Sequence, residues 1–91
     1  MTYDIEISND AKRSFKKLDR RTAQRIYTKL KEIAASGNPF LYVKRLTGIA
    51  LFSLRVGDYR IIIDIKKNNL MILVLKIGHL RNIYIMKYKL K

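Results

Sequence analysis

Leu54-Arg55-Val56-Gly57-Asp58-Tyr59-Arg60 is the stretch on which the fold turns. A Gly-Asp pair set between two runs of β-branched and aromatic residues is a hairpin signal, with Val56 to Tyr59 making the reversal. The pairing that follows puts Arg55 and Arg60 on neighbouring strands at one end of a sheet. Two guanidinium groups on a rigid hairpin make a fork for phosphate oxygens, a task Arg performs better than Lys. Two readings of these arginines stand open: solvated hairpin ends, or an anion site.

Strand-like runs surround the hairpin. Residues 50–56 and 59–65 flank it, and residues 70–77 follow after the polar turn Lys66-Lys67-Asn68-Asn69. Within the third run, residues 70–75 are apolar without a break, which predicts a central strand covered on both faces. Working back toward the N-terminus, residues 40–48 form a connection carrying Lys44, Arg45 and Leu46. Gly37-Asn38-Pro39 is a helix stop. Before it, Ala23, Ile26, Tyr27, Leu30, Ile33 and Ala34 make the apolar stripe of a helix capped by Asp19. Ala11, Phe15 and Leu18, spaced i, i+4, i+7, make a shorter helix with Ser8 or Asn9 as its cap. The lysines and arginines of both helices then form a largely solvated face. Tyr3, Ile5 and Ile7 alternate with acidic residues, as a half-exposed strand does. The expectation is therefore a single α+β domain over residues 1–91, ordered β-α-α-β-β-β. A two-helix hairpin packs on one face of a mainly antiparallel four-stranded sheet. Residues 84–91 alternate apolar and basic side chains, as an added strand or a loose end.

Composition narrows the function. Twenty Lys and Arg against seven Asp and Glu leave a formal net charge of +13 in 91 residues, which points to a polyanionic partner. Nearly half the residues are apolar (48%), so the chain can build a core and is not a basic disordered tail. With no cysteine, disulfides and thiolate catalysis are excluded. A single histidine, His79, without cysteine does not make a zinc site, and no metal or other cofactor is expected. The absence of a long apolar run and of a basic-then-apolar leader predicts a cytoplasmic protein.

At the strand ends, Arg55 and Arg60 stand to meet Gly78-His79-Leu80-Arg81 and then Tyr84, with Lys44 and Arg45 bordering the same area. Cleavage of RNA by its own 2′-hydroxyl needs a base, an acid and cations to hold the developing phosphorane charge. His79 has the only side chain that titrates near neutrality without perturbation. Tyr84 offers a phenol, while Arg55, Arg60 and Arg81 offer phosphate contacts. Each also has a structural reading, as a rim aromatic, a hydrogen-bonding histidine or a solvated cation.

The chain resembles RelE-family toxins of the RelE/ParE superfamily. The resemblance runs through Ile5-Glu6-Ile7, the 11–18 helix, Lys44-Arg45-Leu46-Thr47-Gly48, Leu54 to Ile61, and Ile77-Gly78-His79 followed by Tyr84. It implies the toxin of a type II toxin–antitoxin pair: a metal-independent, ribosome-dependent mRNA endonuclease that inhibits translation and is neutralised by a cognate antitoxin protein. By the same resemblance Arg60 is a catalytic arginine, His79 and Tyr84 match proton-transfer positions, and Arg81 lies beside a basic one. Lys44, Arg45 and Arg55, from their charge and position at the strand ends, are the expected RNA-phosphate contacts. The best-known members carry lysines at the positions of Leu51 and Ser53 and an arginine at that of Leu80. The alternatives are the ParE branch, which shares the fold and acts on DNA gyrase without cleaving nucleic acid, and a catalytically weakened relative that binds RNA or the ribosome.

Overall fold

A computed structural model describes residues 2–80. Strand β1 (Asp4–Ile7) leads into helices α1 (Asn9–Lys17) and α2 (Arg20–Ala35), and a short 3-10 turn (Pro39–Tyr42) follows. Strands β2 (Lys44–Arg45), β3 (Phe52–Val56), β4 (Tyr59–Lys66) and β5 (Met71–His79) are the remaining elements among the described residues. They form one five-stranded sheet in the order β1-β5-β4-β3-β2, with β1 parallel to β5 and every other pair antiparallel.

The expected α+β architecture is present, with one correction: the sheet has five strands, not four. The additional strand is β2, which lies inside the predicted 40–48 connection. It pairs Lys44 with Ser53 and Arg45 with Phe52, and Leu46 N donates to Leu51 O at 2.9 Å as the chain turns back. Two adjacent cations have no apolar alternation to announce a strand. Their charge does suit an exposed sheet edge, where it opposes pairing with another chain. The same turn shortens the next strand, so Ala50 and Leu51 lie outside β3.

Local chemistry sets the helix boundaries. Ser8 caps α1, its Oγ accepting from Ala11 N at 3.1 Å and donating to Leu75 O at 2.9 Å. The helix start is thereby tied to the central strand. Asp19 caps α2 by accepting from Thr22 N at 3.2 Å, and this hydrogen bond holds its carboxyl below the usual range. The ammonium of Lys76 hydrogen-bonds Asp10 in the first turn of α1. That contact, with help from Arg13, lowers the Asp10 carboxyl in the same way.

The helices lie on one face of the sheet. Ile26, Leu30, Ile33 and Ala34 of α2 and Ala11 of α1 are buried with Leu54, Ile61, Ile63, Ile65, Ile72, Val74 and Ile77. A bulge near Ile62 and Ile63 lets Val74 and Ile77, three apart in β5, both join this core. Tyr27, expected in the stripe of α2, is instead 47% exposed. It lies with Ile7, Phe15 and Ala23 along a groove between α1 and α2. Strand β5 is central as expected, but its cover is uneven. Ile72 and Val74 are buried, while Leu73 on the other face is only half-buried.

Candidate nucleic-acid interface

The hairpin has the predicted reversal. Val56 and Tyr59 are paired, and so are Arg55 and Arg60. Gly57 has φ +58° and Asp58 is not in the positive-φ region, the sign pattern of a type II′ turn. Leu80 N donates to Asp58 O at 2.8 Å, so the end of β5 is pinned to the hairpin tip.

Alternation then sorts the candidate residues onto two faces. Leu54, Ile61 and Ile77 are mutual register partners on the helix-covered face. On the far face, Lys44, Ser53, Ile62 and Lys76 form one row of register partners, and Arg55, Arg60 and Gly78 form the next. The far face therefore gathers Lys44, Arg55 and Arg60 around the strand ends.

Arg60 is the residue that this face constrains most. It is half-buried, and its Nη1 donates to Ser53 Oγ at 3.4 Å, a long hydrogen bond. Its Nε is buried with no hydrogen-bond partner among the described residues. A buried donor without an acceptor is costly, and here it belongs to a permanent cation. Arg55 stands opposite Arg60 with a like charge, a destabilising cross-strand pair. The head of Arg55 is turned to the hairpin tip, Nε donating to Gly57 O at 3.2 Å. An anion on this face would relieve both the repulsion and the missing acceptor.

The other predicted residues are not all brought here. His79 pairs with Tyr59 in register, and the two rings meet edge to face at 5.4 Å between centroids and 79° between planes. Tyr59 packs on the core under the helices, so the imidazole lies on the opposite side of the sheet from Arg60. Arg45, paired with Phe52, also points to the helix side. Arg81 and Tyr84 lie outside the described residues. Ser53 is a gain: at a position where the resemblance leads one to expect lysine, it is buried and touches Arg60. Among the described residues no three His, Asp or Glu side chains are grouped to hold a metal ion, and no helix is long and apolar enough to cross a membrane.

The sequence pattern of the family described as "ParE toxin of type II toxin-antitoxin system, parDE" matches residues 5–84. Comparison with curated protein sequences gives no match. Among solved structures, the chain is similar to the RelBE toxin–antitoxin complex of Mycobacterium tuberculosis, with a TM-score of 0.79, 22% identity, and 87% of this chain and 92% of that one covered. The archaeal RelE–RelB complex of Pyrococcus horikoshii gives 0.74 and 23%, covering 87% and 96%. The intact RelBE complex of E. coli gives 0.71 and 18%, covering 85% and 95%. At these identities the likeness is one of fold.

Proposed function

The chain belongs to the ParE toxin family of type II toxin–antitoxin systems, within the RelE/ParE superfamily, and from that premise we propose that it is an mRNA endonuclease acting on the ribosome. The observation that carries this reading is Arg60: a half-buried guanidinium whose Nε has no hydrogen-bond partner among the described residues, on a face that it shares with Lys44 and Arg55. In cleavage by transesterification the ribose 2′-oxygen attacks the adjacent phosphorus, the bond to the 5′-oxygen breaks, and charge grows on the non-bridging oxygens. Arg60 meets that charge with N–H donors already in place, which is where preorganised donors accelerate most. Lys44 and Arg55 hold neighbouring phosphates. The 2′-hydroxyl proton must leave and the 5′-oxygen must gain one; His79 and Tyr84 are proposed for these transfers, with Arg81 as a further phosphate contact. For His79 this requires the imidazole to act around the end of β5, because its ring lies beside Tyr59.

An antitoxin protein completes the reading. Tyr27, Phe15, Ile7 and Ala23 line an apolar groove of about 530 Å³ that suits the apolar side of an amphipathic helix. Toxin and antitoxin act together in the cytoplasm. Induction with primer-extension mapping of a reporter mRNA tests the activity: the wild type should produce ribosome-dependent cuts, and Arg60→Met should not.

A second reading is favoured by one observation. The matched family is the ParE one, and a toxin that blocks DNA gyrase needs no cluster of proton-transfer groups, which the separation of His79 from Arg60 does not supply. Inhibition of gyrase supercoiling by the purified toxin, with no mRNA cuts, would establish it in place of the first.

A further inference from the structure

Helix α2 has a second exposed flank, and it is cationic. Arg21, Arg25 and Lys29 are four residues apart, so they form one line along the helix at steps of ~6 Å. They face the β3–β4 hairpin across a groove of about 590 Å³. Arg55 lines the opposite wall, its Nε tied to Gly57 O at 3.2 Å. The Arg25 guanidinium lies over Gly57, 3.4 Å from where a Cβ there would stand. A single carboxylate, Glu32, lies along the groove and pairs with Lys29 at 3.4 Å. Among the described residues, Arg21, Arg25 and Arg55 have no acidic partner. Held together in this way, the cations repel one another until an anion enters.

We propose that this groove grips the phosphate backbone of double-stranded RNA, at a site that borders the Arg60 face only at Arg55, whose head is turned to the hairpin tip. Three features select that occupant. Protein segments dock through buried apolar and aromatic anchors, whereas four of the nine described lining residues here are Arg or Lys and Val56 alone is an apolar anchor among them. Single-stranded RNA is held by aromatic platforms on which bases stack, and among the described residues no aromatic side chain lines this groove. A duplex presents phosphates in a fixed row, which a helical line of cations at ~6 Å steps can follow without reading sequence. The apolar groove beside Tyr27 lies on the other flank of the same helix, so each flank has its own kind of partner. The inference rests on the RNA-directed reading above: the groove anchors structured RNA while the Arg60 face meets a strand to be cut.

The test is fluorescence anisotropy with a short, blunt RNA duplex, titrated from 50 to 200 mM salt. It compares the wild type, an Arg21→Gln/Arg25→Gln/Lys29→Gln variant, and a Lys12→Gln/Lys16→Gln/Lys17→Gln variant that removes the same charge from the exposed side of α1. Losing three phosphate contacts should reduce the slope of log K against log salt by about 2 to 3. Affinity at 50 mM salt should drop at least tenfold, and the α1 variant should bind nearly as the wild type does. Equal losses in the two variants would reduce the effect to bulk charge and overturn the proposal. So would a groove variant that keeps duplex RNA binding, or one that loses only DNA duplex or poly-glutamate binding. Circular dichroism confirms that each variant is folded. The anisotropy titration reads the groove and primer extension reads cleavage, so failure of the cleavage reading and failure of the groove are told apart.

Discussion

Replacing Arg60 by Met should make this protein more stable and less active at once. Met keeps most of the aliphatic stem and removes the guanidinium. On the stability side, what is lost is one long hydrogen bond to Ser53 Oγ at 3.4 Å, worth at most ~0.5 kcal/mol at that length. What is relieved is the buried Nε without an acceptor, a penalty of ~1–3 kcal/mol. The cross-strand repulsion from Arg55 is relieved as well, by some tenths of a kcal/mol at most (~0.2–1). The balance favours the variant by ~1–3 kcal/mol, and each kcal/mol raises the midpoint of a domain this size by roughly 4–8 °C. On the activity side, a donor that meets phosphorane charge is worth ~2.7–4 kcal/mol, a loss of about 10²–10³ in rate. Urea unfolding followed by circular dichroism reads the first quantity, and primer extension on ribosome-bound reporter mRNA reads the second. A variant that is destabilised by more than ~1 kcal/mol and still cuts at the wild-type rate would refute the reasoning on both counts, because Arg60 would then be a structural residue with its donors satisfied.

Other expectations follow from the same geometry. Gly57→Ala forces a Cβ into a φ of +58° and should cost ~1–2 kcal/mol in urea unfolding, with Gly57→Asn milder; equal stability of all three would show that the turn changes type. Ser8→Ala removes the cap of α1 and its bond to Leu75 O, a loss of ~1–2 kcal/mol seen as a lower urea midpoint at unchanged slope. Lys76 holds the Asp10 carboxyl below its ordinary range. That contribution is therefore full above the unfolded value of about 4 and disappears as pH falls through the lower folded value. Lys76→Met should accordingly flatten the acid limb of the stability curve, and an unchanged limb would show that the pair contributes nothing. His79→Gln should reduce mRNA cleavage by about 10²–10⁴, the share that a general acid or base supplies, the imidazole reaching the cleavage site around the end of β5. A loss of less than about tenfold would leave the proton transfers to Tyr84, with the His79 ring held on the helix side beside Tyr59.

Reading the elements from the chain succeeded wherever a local rule decides. The Gly-Asp hairpin, the caps at Ser8 and Asp19, the 3.6-residue stripe of α2 and the apolar run of β5 each depend on neighbours within a few positions. Strand β2 is different, since two cations become a strand only because Ser53 and Phe52 offer them an edge. Tyr27 satisfies the helical stripe, yet α1 packs beside that flank without covering it. The candidate site divides along the same line. Arg55 and Arg60 are readable as a facing pair because one short turn sets their register. Ser53 as the neighbour of Arg60 follows from the same turn, seven residues away, whereas the groove built from Arg21, Arg25 and Lys29 against the hairpin combines residues far apart in sequence.

The chain by itself determined an α+β domain, a strongly basic surface, and two arginines facing each other across a turn. These follow from composition, periodicity and short-range backbone geometry. Only the tertiary structure decided which face each cation occupies. His79 sits beside Arg60 in every linear picture of the strand ends, yet the register of β4 with β5 and the pleat of the sheet turn the two side chains to opposite sides. Side chains alternate with a period of two, so a single residue of register, invisible in the sequence, settles whether two groups can act together.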